Sequence, residues 1–160
     1  MFRVPVDFNT QRFVTLNDEK VEIVRINTHY DAWLLDYLKP GLHVLLFTSN
    51  DFEVEGVVEY YEEWKRWIGI PEWSTVRYLA RVDFDTLPTN TVNKIPISDE
   101  QMKFLLHLIE ANERMLLEAD TFEVDAEFVF DEEKRAWYAI PDWSTRRNFD
   151  ILPPVLPASD

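Results

Sequence analysis

Carboxylates at alternate positions are the first feature of this sequence that could do chemistry. Glu53, Glu55 and Glu59 in one segment, and Glu123, Asp125 and Glu127 in another, keep the two-residue period of one face of a β-strand. Alternate residues on a strand lie roughly 6.6 to 6.8 Å apart. That is near the spacing of successive phosphates along a nucleic-acid strand, so such a row can imitate a phosphate backbone or receive the basic side chains of a partner. Between Glu118 and Glu133 there are eight acids and no basic residue, and between Asp51 and Glu63 six and none. Charge this concentrated repels itself unless it is solvated or met by a cation. A solvated outer face, a docking surface for a basic partner and a metal site are the three uses open to it. The D-x-[DN]-x-[DN]-G pattern of a calcium loop does not occur, and no metal site is expected.

A turn written twice is the second constellation: Ile70-Pro71-Glu72-Trp73-Ser74-Thr75 and Ile140-Pro141-Asp142-Trp143-Ser144-Thr145, with Arg77 and Arg147 two residues further on. Proline fixes φ, the acid and the hydroxyls can bond nearby backbone N–H groups, and the indole is large and amphipathic. The arginine can pair with Glu72 or Asp142, or stack on the tryptophan. The turn is therefore either a strand terminator docking its indole on the core or a duplicated recognition site. Aromatic side chains add a third possibility. Trp64, Trp67, Trp73, Tyr60 and Tyr61 cluster in the first copy, and Trp64 stands where the second copy has Lys134, in a hairpin loop, an exposed place for an indole. Exposed aromatics beside acids are a recipe for recognition hot spots.

Catalysis has little to stand on. His29, His43 and His107 fall in no HExxH or HxE pattern, and neither Ser74 nor Ser144 has a histidine near it to act as base. With three glycines in the chain and no GxxxxGK[ST] or GxGxxG, phosphate-cradling loops are excluded. No catalytic residue and no cofactor is assigned.

These residues sit on elements that occur twice. Residues 51–75 laid over 121–145 without a gap give eleven identities in twenty-five positions, two of them tryptophan pairs, at a constant offset of 70. That is internal duplication. Each copy is preceded by a pattern that reads as helical. Ser98-Asp99-Glu100-Gln101 has the form of a capping box, followed by Met102, Leu105, Leu106 and Ile109 at helical spacing, which predicts a helix from about 98 to 113. In the first copy Asn17-Asp18-Glu19 reads as an equivalent start, and Ile23, Ile26, Tyr30, Trp33, Leu34 and Tyr37 as a stripe running to Pro40-Gly41, with a break possible at Asn27-Thr28-His29. Val44–Phe47 and Met115–Leu117 are expected as short strands, then alternating strands in which Phe122, Val124, Ala126, Phe128 and Phe130 share the core face. Asp131–Arg135 is expected as a hairpin loop.

The expected fold is therefore α+β: two tandem helix-strand-strand-strand repeats with antiparallel sheet, packed as paired subdomains or as one continuous sheet. The first repeat occupies 1–88, with a helix at about 17–38, strands at about 43–70 and the turn at 70–77; the second occupies 89–160, with a helix at about 98–113, strands at about 114–140, the turn at 140–147 and a Pro-rich tail at 153–160. Residues 87–91 form the expected connector.

A formal charge of −14 repels phosphate backbones, so direct nucleic-acid binding is not expected, while a basic or nucleic-acid-binding protein would be attracted. There is no cysteine, the N-terminus does not have the form of a signal peptide and no apolar run approaches a membrane span, which together predict a cytoplasmic protein with no membrane partner. The leading functional expectation is a non-catalytic acidic binding protein, an inhibitor, immunity-type protein or nucleic-acid mimic that occupies a basic surface. A small-molecule sensor or enzyme with its site at the Trp-Ser-Thr turn is the alternative from another class. A self-associating architectural subunit is the third.

Overall fold

The computed structural model describes residues 2–26, 35–87 and 93–149. These form eleven strands and one α-helix, a mostly β protein, and the expected α+β arrangement of paired helix-strand repeats is wrong. The error lies at the first helix. Asn17 and Asp18 adopt positive φ, 50° and 66°, and make the two-residue turn of a β-hairpin between β1 (Phe2–Leu16) and β2 (Glu19–Ile26). Val21, Ile23, Val24 and Ile26 are β-branched and favour an extended chain. Ile23, Val24 and Ile26 are all buried, because both faces of β2 are covered. Tyr30, Trp33 and Leu34 of the stripe lie outside the described residues, as do the break at 27–29, most of the connector and the Pro-rich tail, and Tyr37 lies in a turn.

Of the described residues, 2–26, 35–48, 53–76 and 149 form one compact unit and 49–52 with 77–87 and 93–148 form another. The strand after the first turn thus belongs to the second unit, although it precedes the boundary expected at 88.

In the first unit β1 pairs with β2, β2 with β5 (Arg66–Pro71), β5 with β4 (Phe52–Tyr61), β4 with β3 (Leu42–Thr48), and β3 runs parallel to β1. Within this unit every strand has two neighbours, so the sheet closes into a five-stranded barrel. Val4, Val6, Val24, Val44, Leu46, Val54 and Val58 fill it. The centre is tight: a Cβ added to Gly56 or Gly69 would lie 2.6 or 2.7 Å from a Leu46 methyl. β1 carries an irregularity between Asp7 and Arg12, where Thr10 Oγ1 accepts a bond from Arg25 N at 2.9 Å.

The second unit repeats this order of pairing. β6 (Arg77–Arg81) lies parallel to β8 (Met115–Glu118) as β1 does to β3; β8 pairs with β9 (Phe122–Asp131), β9 with β10 (Ala136–Pro141), and β10 with β7 (Ile95–Ile97) as β5 does with β2. The duplication is thus wider than its twenty-five matched positions. Among the described residues β6 and β7 do not pair, so the ring is not closed there, and β11 (Arg147–Asn148) adds to the start of β9. Helix α1 (Asp99–Glu110) precedes β8; Ser98 Oγ accepts from Gln101 N at 3.2 Å, Met102 and Leu105 pack on the core, and Asn112 ends the turn at φ 58°. Phe122, Val124 and Phe128 face inward, but Ala126 is half-buried and Phe130 is 47% exposed. No described helix is long and apolar enough to cross a membrane.

Candidate functional site

The repeated turn is bonded into the scaffold the same way in both units. Thr75 Oγ1 accepts from Glu55 N at 2.9 Å and donates to Glu72 O at 2.7 Å; Thr145 Oγ1 accepts from Asp125 N at 2.9 Å and donates to Asp142 O at 2.7 Å. Ser74 and Ser144 give their hydroxyl protons to the Glu72 and Asp142 carboxylates at 2.8 and 2.6 Å. Trp73 Nε1 donates to Glu22 Oε2 at 3.0 Å while its ring lies 6.0 Å from Phe8; Trp143 packs against Phe84 and Phe122. The hydroxyls thus tie the turn to the strand. Arg77 is half-buried, and Arg147 Nε reaches Glu123 Oε1 at 3.0 Å.

The acidic strand faces are divided. Glu53 and Glu123, expected on an outer face, are 0% and 1% exposed. The sheet curves, and arginines cover the start of both strands. Arg3 Nε stands 4.0 Å from Glu53 Oε2, its guanidinium lying 3.7 Å from the Phe47 ring centre and 3.9 Å from that of Phe149. Glu55 and Glu59 are half-buried and Glu127 is exposed. Trp64 is half-buried too, edge-on to Tyr61 at 5.0 Å with Arg25 5.2 Å from its ring. Sequence reasoning overlooked Glu118, fully buried, whose Oε1 accepts from Ser49 Oγ and Asn50 N, each at 2.9 Å. Its apolar context, Met-Leu-Leu-Glu-Ala, was the available signal.

What the structure does bring together is a cleft that occurs once in each unit. In the first it is about 320 Å³, lined by His43, by Glu55–Val57 of β4 and by Ile70, Pro71 and Glu72 at the end of β5. In the second it is about 690 Å³, lined by residues 112–115, by Asp125–Glu127 of β9 and by Ile140, Pro141 and Asp142. Every lining residue of the first has its counterpart at +70 in the second. The cleft forms because Glu72 N and Asp142 N bond to the carbonyls of Glu55 and Asp125, both at 2.8 Å, which sets the Ile-Pro-acid corner against the strand. Acids of the strand and of the turn, separate candidates in the sequence, thus share one wall.

The second cleft already holds a cation. Arg114 Nε and Nη2 donate to Asp125 Oδ1 and Oδ2 at 2.9 and 3.0 Å, and Arg147 Nη1 stands 3.8 Å from Oδ2. Burial pushes the Asp125 carboxyl up, but bonding to Arg114, the charges of Arg114 and Arg147, and the Thr145 bond outweigh it and hold the group below the usual carboxylate range. In the first cleft Glu55 takes part in no side-chain hydrogen bond or ion pair among the described residues. Among them there is also no cluster of three or more His, Asp or Glu able to hold a metal ion. Sequence reasoning weighed His43 only as a catalytic histidine and missed Arg114; both precede the matched block.

The chain matches no protein-family model, and neither a curated protein nor a solved structure is significantly similar to it.

Proposed function

We propose that this is a non-catalytic binding protein that presents carboxylates to a basic partner protein. The observation carrying the reading is the recurrence of one acid-walled cleft in two units, with Glu55 and Glu72 on its walls in the first and Glu113, Asp125, Glu127 and Asp142 in the second. A net charge of −14 draws a basic surface to the molecule from a distance, and the clefts supply fixed points for it to meet. Glu53 and Glu123 drop out of the contact set because arginines of the same chain meet them inside. The reading keeps the protein in a reducing cytoplasm, in line with a chain that has no cysteine.

The test separates place from total charge. One variant carries Glu55→Gln, Glu72→Gln, Glu127→Gln and Asp142→Asn; a second loses the same charge from the hairpin loops through Gln at Glu62, Glu63, Glu132 and Glu133. Binding of an arginine-rich peptide is measured by calorimetry at low and high salt. The cleft variant should lose most of the affinity and most of the salt dependence, and the loop variant little. Equal losses in the two would reduce the protein to a general polyanion and overturn the reading.

A further inference from the structure

Arg114 indicates what the repeated cleft is shaped to hold. Its two-point fork on Asp125 uses the planar guanidinium geometry that an ammonium cannot reproduce. At the equivalent place in the first unit Glu55 is half-buried on the cleft wall, and the preceding segment is Leu42-His43-Val44, with no arginine. Glu72 Oε1 accepts from Ser74, leaving its second oxygen for a ligand. Ile70 and Pro71 provide an apolar strip beside the acids. A carboxylate pair with an apolar strip suits a side chain that is aliphatic along its stem and cationic at its tip.

We infer that the first cleft is a receptor for an arginine side chain of a partner protein, with Glu55 and Glu72 as its carboxylates, and that Arg114 is the built-in occupant of the second. The inference rests on the proposed reading of the protein as a carboxylate-presenting binder. Arginine is favoured over lysine because the model for the contact, the fork on Asp125, engages two nitrogens at once.

N-acetyl-arginine amide titrated into the full-length ¹⁵N-labelled chain tests it. Saturable amide shifts should gather at residues 43, 55–57, 70 and 72, with no matching group around Asp125. The neutral citrulline analogue should give none, and the lysine analogue should bind more weakly. Glu55→Gln should weaken the arginine probe about tenfold, the loss of one charge-assisted contact. Arg114→Ala should open a second group of shifts around Asp125; if that variant loses its folded spectrum, Arg114→Gln, which keeps most of the stem, takes its place. Shifts reproduced by citrulline, indifference to Glu55→Gln, or no second group after Arg114 is replaced would each overturn the inference. A basic peptide whose binding depends on the other cleft acids but ignores Glu55→Gln would sink this site and leave the broader reading standing. Arginine amide bound at Glu55, with basic peptides insensitive to the cleft acids, would do the reverse.

Discussion

Arg147 donates Nε to Glu123 Oε1 at 3.0 Å, and the glutamate it meets is 1% exposed. A carboxylate this far from water stays charged only with a cation beside it. The arginine that follows the repeated turn is thereby part of the scaffold. Arg147→Ala should lower the unfolding free energy by about 3 kcal/mol, toward the low end for a broken buried pair because Arg147 itself is 37% exposed. Replacing both partners with leucine should recover much of that. Denaturant unfolding followed by tryptophan fluorescence measures both, and an Arg147→Ala chain as stable as the parent would show that the pair is not needed.

Asp125 carries a prediction in pH. Its carboxyl is held below the usual range in the folded chain, so its stabilising effect is complete above the unfolded value of about 4 and fades as pH falls through the folded one. Arg114→Ala removes the two-point bond and lets the carboxyl return toward its ordinary value. The stability gap between parent and variant should be full near neutrality and close in acid, as read from denaturant midpoints across a pH series. A gap that stays constant with pH would assign the loss to the packing of the arginine stem.

What was legible in the sequence was local and repeated. The hairpin loops, the Pro-terminated strands and the helix capped by Ser98 are each encoded by a few adjacent residues, and duplication doubled the signal. Asn17-Asp18 was misread because the same residue types cap helices and form two-residue hairpin turns, and only the sign of φ tells them apart. Glu53 and Glu123 were placed outside because alternation assumes a sheet with one dry face. Nothing in the strands themselves announces that Arg3 and Arg147 cover the other. The cleft was half legible: its Ile-Pro-acid corner lies in the matched block, but His43 and Arg114 approach from segments with no matching sequence.

The closed barrel leaves its mark on two glycines. Gly69→Ala would set a methyl 2.7 Å from Leu46 Cδ2, and Gly56→Ala one 2.6 Å from Leu46 Cδ1 and from the Ile70 carbonyl oxygen. Either should cost about 1 to 3 kcal/mol through overpacking. Combining Gly69→Ala with Leu46→Ala should be less damaging than the sum of the two, since the clash and the cavity share one space. Thermal unfolding of the set provides the comparison, and strict additivity would mean that the barrel relaxes elsewhere.

The turn threonines settle whether the repeated Trp-Ser-Thr element is scaffold or contact surface. Thr75→Val keeps the shape but removes the acceptor for Glu55 N and the donor to Glu72 O, so it should cost about 1 to 3 kcal/mol, and Thr145→Val the same by the matching bonds. Ser74→Ala, at an exposed hydroxyl, should stay within about 0.5 kcal/mol. Because the Thr75 bond also fixes the backbone that carries Glu55, Thr75→Val should weaken an arginine ligand in the first cleft, while Thr145→Val leaves that affinity unchanged. Equal stability losses in the two copies, with a binding loss in only one, separate the structural role of the turn from the use made of the cleft beside it. A binding loss from Thr75→Val with no loss of stability would instead make the threonine hydroxyl itself a contact.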